Sequence, residues 1–410
     1  MTETHELRIA VIGAGPAGVY SSDIFLRQLK KLGEELGLGT AARIDLFEKL
    51  PVPFGLVRYG VAPDHPSIKF IASALEKTLD NPDIHLYCDV EFGKDVTLDE
   101  LLERYDAVLF ATGAVEDKPL GLPGADLDGV YGAAKFVEWY DGYPTGAREW
   151  PLEAEEVAVI GGGNVAMDVT RSSIRLGADK VTCVYRRRQA DMTALPDEIT
   201  GALAEGAELM TLAAPVRIEA DEDGAAKALW VQPQIIGEVD KAGRPRPGKA
   251  ALEEVRIPAD VIVVAIGQGV EIQGFDQAGV PIQRGAFVAG LSGQVRDMDS
   301  VFAGGDCVTG PATAIRAIAA GKVAAANIDE HLGFRHEITV DVEIPSPKLN
   351  NSPPHGRIDT TEREACERKR DFEDIECGLT QEGACAEAGR CLRCDHFGYG
   401  IFRGGRNEKW

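Results

Sequence analysis

Two glycine-rich runs and one crowd of cysteines hold most of the side chains in this sequence that could do chemistry. The first run is Gly13-Ala14-Gly15-Pro16-Ala17-Gly18, directly after the apolar stretch RIAVI. In such a run the first glycine permits a tight turn and the second lets backbone approach a pyrophosphate. The third packs a helix against a strand, and the helix N-terminus offers its N–H groups to the phosphates. A dinucleotide site also calls for an acidic residue ending the second strand, where it accepts from a ribose hydroxyl. Glu48, after IDLF, stands there. It lies about 30 residues beyond the glycines rather than the usual ~20, a gap the long connecting helix absorbs.

The second run is Gly161-Gly162-Gly163-Asn164-Val165-Ala166, with Ala in place of the last Gly, an accepted variant. Its second strand ends at Tyr185-Arg186-Arg187-Arg188, with no carboxylate at the ribose position. Arginine makes bidentate contacts to phosphate, so this end suits the 2′-phosphate of NADP better than the bare hydroxyl of NAD. A solvated basic turn is the alternative reading of the same three residues. Two such runs in matching strand contexts predict two bound dinucleotides, one a flavin and the other a nicotinamide.

The elements that must position these turns are legible from periodicity. RIAVIGAGPAG reads as strand, turn and helix, and RIDLFEK as the next parallel strand. YDAVLFATGA is another buried strand. EEVAVIGGGNVAMD restarts the pattern, KVTCVYRRR follows it, and ADVIVVAIGQ closes it. SVFAGGDCVTG and the Ala-rich PATAIRAIAAGKVAAANI add a last strand and a long helix. Strands alternating with helices imply parallel sheets covered on both faces. The expected fold is therefore α/β, with two Rossmann-like dinucleotide-binding domains, the second inserted in the first. The expected boundaries are 1–112 and 295–334 for the FAD-binding domain and 113–294 for the NAD(P)-binding domain. Residues 335–410 read as a linker and a Cys-containing docking tail.

At 410 residues, with 44% hydrophobic and 27% charged residues, the profile is that of an ordinary globular chain with room for several cores. The formal charge of -23 repels nucleic acid phosphate and anionic lipid, so neither is expected as a partner. No apolar run approaches the roughly 20 residues that span a bilayer. No positive stretch leads into an apolar one at the N-terminus, and a cytoplasmic location is expected. Eight cysteines are too few for a disulfide scaffold. Cys88, Cys183 and Cys307 lie in or beside apolar segments and read as small core residues.

Longer stretches carry a resemblance. EKLPVPFGLVRYGVAPDHPSIK is similar to adrenodoxin reductases, and GGGNVAMDVTRSSIRLGADKVTCVYRRRQADMTALPDE resembles the small subunit of glutamate synthase. AGGDCVTGPATAIRAIAAGKVAA resembles the FAD motif that both branches share. The chain thus resembles the two-dinucleotide flavoprotein family. That resemblance implies cofactor contacts at Gly13, Gly15, Ala17, Gly18 and Glu48, at Gly55, Leu56 and Arg58, and at Thr112 and Gly113. It adds Gly305 and Asp306, the latter at the ribityl chain, with Thr313 and Ala314 setting a helix N-terminus near the isoalloxazine carbonyls. Gly161, Gly163, Asn164, Val165, Arg186, Arg187 and Gly267 would serve the nicotinamide side. His65 and Glu198 match positions close to nicotinamide and flavin in relatives, in orienting or proton-handling roles.

The tail ECGLTQEGACAEAGRCLRCDHFG resembles the segment in which related proteins place cluster cysteines. Cys377, Cys385, Cys391 and Cys394 supply the four thiolates a [4Fe–4S] cluster needs, but only Cys391-x-x-Cys394 has familiar spacing. The tail is therefore read as a docking segment with no metal, with a cluster as its alternative. The expected function is an FAD-dependent NAD(P)H oxidoreductase subunit that exchanges electrons with an iron–sulfur partner in a stable hetero-oligomer. A disulfide reductase using Cys391 and Cys394, and a non-catalytic FAD-binding scaffold or sensor, are the competing readings.

Overall fold

Runs such as AVLF have no polar alternation, because both faces of their strand are buried, and a sheet covered on each side provides that setting. The structure, a computed structural model, describes residues 6–36, 42–142, 154–239, 245–334 and 356–390. Its first sheet is parallel. The strands run in the spatial order Val301–Ala303, Ala107–Phe110, Leu7–Ile12, Ala42–Phe47 and Ile84–Tyr87. Helices Pro16–Leu36 and Ala314–His331 cover one face, burying Ile9, Val11, Ile44 and Leu109 with Val19, Ala325 and Ile328. The two helices approach so closely that a Cβ on Gly321 would lie 2.7 Å from the Ala17 carbonyl oxygen.

The second sheet is also parallel, in the order Val130–Gly132, Val261–Ala265, Glu156–Gly161, Lys180–Tyr185 and Glu208–Thr211. Helix Asn164–Arg175 packs Ala166, Met167 and Val169 on Val159, Val181 and Val263. An antiparallel layer, Ala213–Ala220, Ala226–Val239, Pro245–Lys249 and Val255–Pro258, covers the other face. Ile218, Leu229, Val231 and Ile257 of that layer meet Ile160, Val184, Ile262 and Val264. Strand–helix alternation gave no hint of this layer. Its strands mix buried and exposed positions irregularly, so their period of two is weak.

The two connections between the units pair with each other, Glu116–Asp117 antiparallel to Gln268–Gly269. The return to the first unit therefore falls near residue 269, not at the expected 294. Val270, Phe275, Val280, Phe287 and Val295 all pack in the first unit's core. The reason is an aromatic cluster on the outer face of the first sheet. The Phe275 ring centroid lies 4.4 Å from that of Phe92 and 5.2 Å from that of Phe110, and Phe287 lies 5.8 Å from Phe110. Beyond Phe334, the described segment 356–390 packs on the second unit through the buried Arg368. Glu362 bridges Glu376, helices Ala365–Arg368 and Gln381–Gly389 follow in turn, and the Thr380 hydroxyl accepts from the Gly383 amide. The linker 335–355 and the end of the tail, 391–410, lie outside the described residues.

Phe110→Ala and Phe275→Ala should each cost about 3–5 kcal/mol in urea unfolding. Because the rings touch, the double variant should lose less than the sum.

Candidate active site

The first glycine turn sits at the carboxyl end of its sheet, where open α/β sheets bind ligands. The Gly13 amide donates to the Phe47 carbonyl at 2.7 Å, and Gly13 has φ +108°. A Cβ there would lie 2.4 Å from the Ala111 oxygen, and one on Gly18 would lie 2.0 Å from the Gly13 oxygen. Gly15 differs, since no described atom lies within 4 Å of where its Cβ would point. That opening is where a bound pyrophosphate would meet backbone. Ala17 is buried beside Gly305 and Gly321. Glu48 is buried and fixes the turn, accepting from the Ala14 amide at 2.8 Å and from the Leu50 amide at 3.0 Å. Burial pushes its carboxyl above the usual range.

The surrounding loops converge on this opening. The Phe54 amide donates to the Ala14 carbonyl at 2.9 Å, bringing the next residue, Gly55, against Gly15. Phe54 itself has φ +89°, a strained value for a bulky residue. Leu56 and Arg58 follow on a short helix, with the Arg58 Nε donating to the Pro53 carbonyl at 3.1 Å. Thr112 and Gly113 leave the strand Ala107–Phe110 beside Gly13. Gly305, at φ +82°, turns the chain into Asp306. The Asp306 Oδ1 is buried with no hydrogen-bond partner among the described residues, and burial raises its carboxyl. Thr313 is exposed and precedes helix Ala314–His331, whose first residues face solvent. A buried oxygen lacking a donor, an open glycine and an unoccluded helix N-terminus fit a flavin dinucleotide.

The second turn is built from backbone and covered by a loop. A Cβ on Gly161 would meet the Ala265 oxygen at 2.4 Å, and Gly267, at φ +105°, follows that strand. Gly163 starts helix Asn164–Arg175, on which Asn164 and Val165 are exposed. The Asn164 Oδ1 accepts from the Leu195 amide at 2.9 Å, and the Gly162 carbonyl accepts from Thr193 and Ala194. The three arginines then divide. Arg188 is held by Asp191 through two contacts of 2.8 Å, whereas Arg186 is exposed and Arg187 half-buried at the strand end.

Between the turns, His65 of the first unit meets the second. Its Nε2 lies 3.3 Å from Asp168 Oδ1, and a ring nitrogen of His65 and a carboxylate oxygen each of Asp168 and Glu198 lie within 4.8 Å of one another. The hydrogen bond to Asp168, against some loss from burial, raises the His65 pKa above its ordinary value. Glu198 accepts from the Arg171 guanidinium at 2.6 Å. Sequence reasoning missed Asp168, Arg171 and Arg175, which share one face of the helix after the second glycine turn. The signal was present, since three charges at that spacing on a helix flanked by buried strands need buried partners.

The cysteines offer less. Burial pushes the Cys183 thiol up to about 12 and the Cys307 thiol up to about 11, which keeps both protonated and unreactive. Cys88, expected in the core, is only half-buried. Cys377 and Cys385 are exposed, and Cys391 and Cys394 lie outside the described residues.

A family model described as pyridine nucleotide-disulphide oxidoreductase matches residues 7–321. The chain belongs to this family. It is accordingly a flavoprotein oxidoreductase whose cofactors are FAD and a nicotinamide nucleotide. The NADP(+)-dependent formate dehydrogenase subunit beta of Moorella thermoacetica is 33% identical over 413 residues, covering 97% of this chain. The chain spans 56% of that relative's length. The mitochondrial NADPH:adrenodoxin oxidoreductase of Drosophila melanogaster is 44% identical over 165 residues, 40% of this chain and 33% of the relative. Mycobacterium tuberculosis FprA in complex with NADPH superposes with a TM-score of 0.69 at 25% identity, covering 80% of this chain and 85% of that one. The resemblance read from the motifs thus holds, and the parallel α/β architecture is that of two-dinucleotide reductases of the family. No described helix is long and apolar enough to cross a membrane.

Gly15→Ala should leave thermal unfolding of the apoprotein within ~0.5 kcal/mol of the parent, as for surface changes, yet lower the FAD content of the purified protein. Gly13→Ala should destabilise the apoprotein itself, since its methyl meets backbone. Asp168→Asn removes the carboxylate that stabilises protonated His65, so the His65 titration, followed by NMR, should fall to lower pH.

Proposed function

We propose that the chain is the nicotinamide-facing flavin subunit of a larger redox enzyme, exchanging electrons between NADPH and an iron–sulfur partner. The observation that carries this reading is the contrast between the two strand ends. The first presents a buried carboxylate, Glu48, suited to a ribose hydroxyl. The second presents Arg186 and Arg187, with Arg188 drawn aside by Asp191, suited to a 2′-phosphate.

FAD held at Gly13–Gly18, Glu48 and Asp306 would supply the conversion between two-electron nicotinamide chemistry and the one-electron steps of iron–sulfur clusters. The chain's own groups then have separate duties. The N-terminus of helix Ala314–His331 favours negative charge placed at Thr313 and Ala314. His65, whose pKa the hydrogen bond to Asp168 raises, would handle a proton in the cleft between the units, with Glu198 beside it. Relatives named as a formate dehydrogenase subunit and an adrenodoxin reductase support a protein partner. A charge of -23 slows encounter with acidic ferredoxins, which favours a stable complex over a diffusing partner.

Anaerobic visible absorbance of the purified protein tests the reading. NADPH should bleach the flavin faster than NADH, and a flavin that neither nucleotide bleaches would sink it. Replacing either Arg186 or Arg187 by Ala removes a charged hydrogen bond worth roughly 1.5–3 kcal/mol, which should raise KM for NADPH by about 10–100-fold and leave that for NADH little changed.

A further inference from the structure

Helix Asn164–Arg175 carries two arginines whose side chains are almost wholly buried, Arg171 at 4% and Arg175 at 0% exposed. Their common partner is Glu205, also 0% exposed. Arg171 binds it with Nε and one terminal nitrogen at 3.1 and 2.6 Å. Arg175 reaches Glu205 at 3.1 Å and Asp64 at 3.3 Å. A third arginine enters from the C-terminal segment: Arg368, 5% exposed, places its Nε 2.9 Å from Glu205. Three cations thus face the carboxylates of Asp64, Glu198 and Glu205, and Arg368 also pairs with Glu362 of its own segment, at the open edge of the cluster. The segment is further clamped to Arg175, whose Nε donates to the carbonyls of Arg368 and Asp371 at 3.0 and 2.9 Å.

Taking the cleft to be the nucleotide site described above, we propose that Arg368 is a positioning residue for it. By neutralising Glu205 it leaves Arg175 to hold Asp64, and so sets the charge and placement of the neighbouring His65. The link is short. Asp64 precedes His65 in the chain, and its Oδ1 lies 4.0 Å from the His65 Nε2, against 3.3 Å for Asp168. The charged groups facing His65 are Asp64 from its own segment, Asp168 from helix Asn164–Arg175 and Glu198 from helix Pro196–Glu205, with Arg175 paired to Asp64 and Arg171 to Glu198 behind them. Lys69, on the helix after His65, is engaged by Asp141 at 2.7 Å. Without Arg368, two arginines face three carboxylates. Arg175 is then drawn to Glu205, Asp64 turns to His65, and the imidazolium is stabilised further. Seating of the segment 356–390 is in this way felt at the cleft.

The test is an NMR titration of the histidines in the FAD-loaded protein, with His65 assigned by its substitution, beside calorimetric NADP+ affinity. Arg368→Met should raise the His65 midpoint by about one pH unit, as for an altered nearby charge. Glu205→Gln should lower it, the double variant should return it, and Arg368→Lys, which keeps the charge, should leave it unmoved. If Arg368→Met does not fold, Arg368→Gln, which also removes the charge but keeps a polar end, takes its place. A merely structural anchor would lower the melting temperature of these variants with the midpoint fixed, and that result overturns the proposal. A parent flavin that NADPH fails to reduce would instead sink the reading of the cleft, whatever the His65 titration shows.

Discussion

A guanidinium with no exposed surface must be neutralised where it lies, since the cost of burying an unpaired charge exceeds what most packing returns. Arg175 is in that position, and the segments it gathers define the cleft. Asp64 comes from the first unit, Glu205 from helix Pro196–Glu205, and two carbonyls from the C-terminal segment. The helix that carries Arg175 also begins at Gly163, so one rigid rod offers amides to a phosphate at its front and anchors three neighbours at its back. Position and charge of the cleft are thereby tied to packing some distance from it.

The glycine turns show a division of labour among residues of one type. At Gly13 and Gly18 a side chain would collide with backbone, so these positions serve the fold. At Gly15 no described atom lies within 4 Å of where a Cβ would point, so the fold does not require the absence of a side chain there and a ligand would be its reason. The same sorting applies to charge. Arg188 is spent on Asp191, whereas Arg186 stands exposed at the strand end where a phosphate would arrive. Motif matching treats such neighbours alike, and their contacts separate them.

Much of the fold was legible because strands buried on both faces must be continuously apolar, as RIAVI, AVLF and VIVVA are. The turns announced themselves through glycine. What stayed hidden had no local period. Phe275 and Phe287 lie singly among turn residues, and their place in the first core appears only once Phe92 and Phe110 are beside them. The antiparallel layer mixes exposures along each strand. Asp168, Arg171 and Arg175 were passed over, and the partners of the two arginines, Glu198, Glu205 and Asp64, come from other segments. His65 and Glu198 were marked by resemblance alone, and their convergence on Asp168 needed the spatial arrangement.

The pairing of Glu116–Asp117 with Gln268–Gly269 has a consequence for how the chain assembles. The inserted unit is one continuous stretch whose two ends are fastened together by its own ribbon, so its sheet can close before the strands that follow it are made. The first unit is different. Its edge strand Val301–Ala303 and the helix behind it are synthesised only after the whole insertion. Phe110 and Leu109 therefore wait for their covering residues, and the part of the molecule that contains the first glycine turn is completed only after the unit inserted into it.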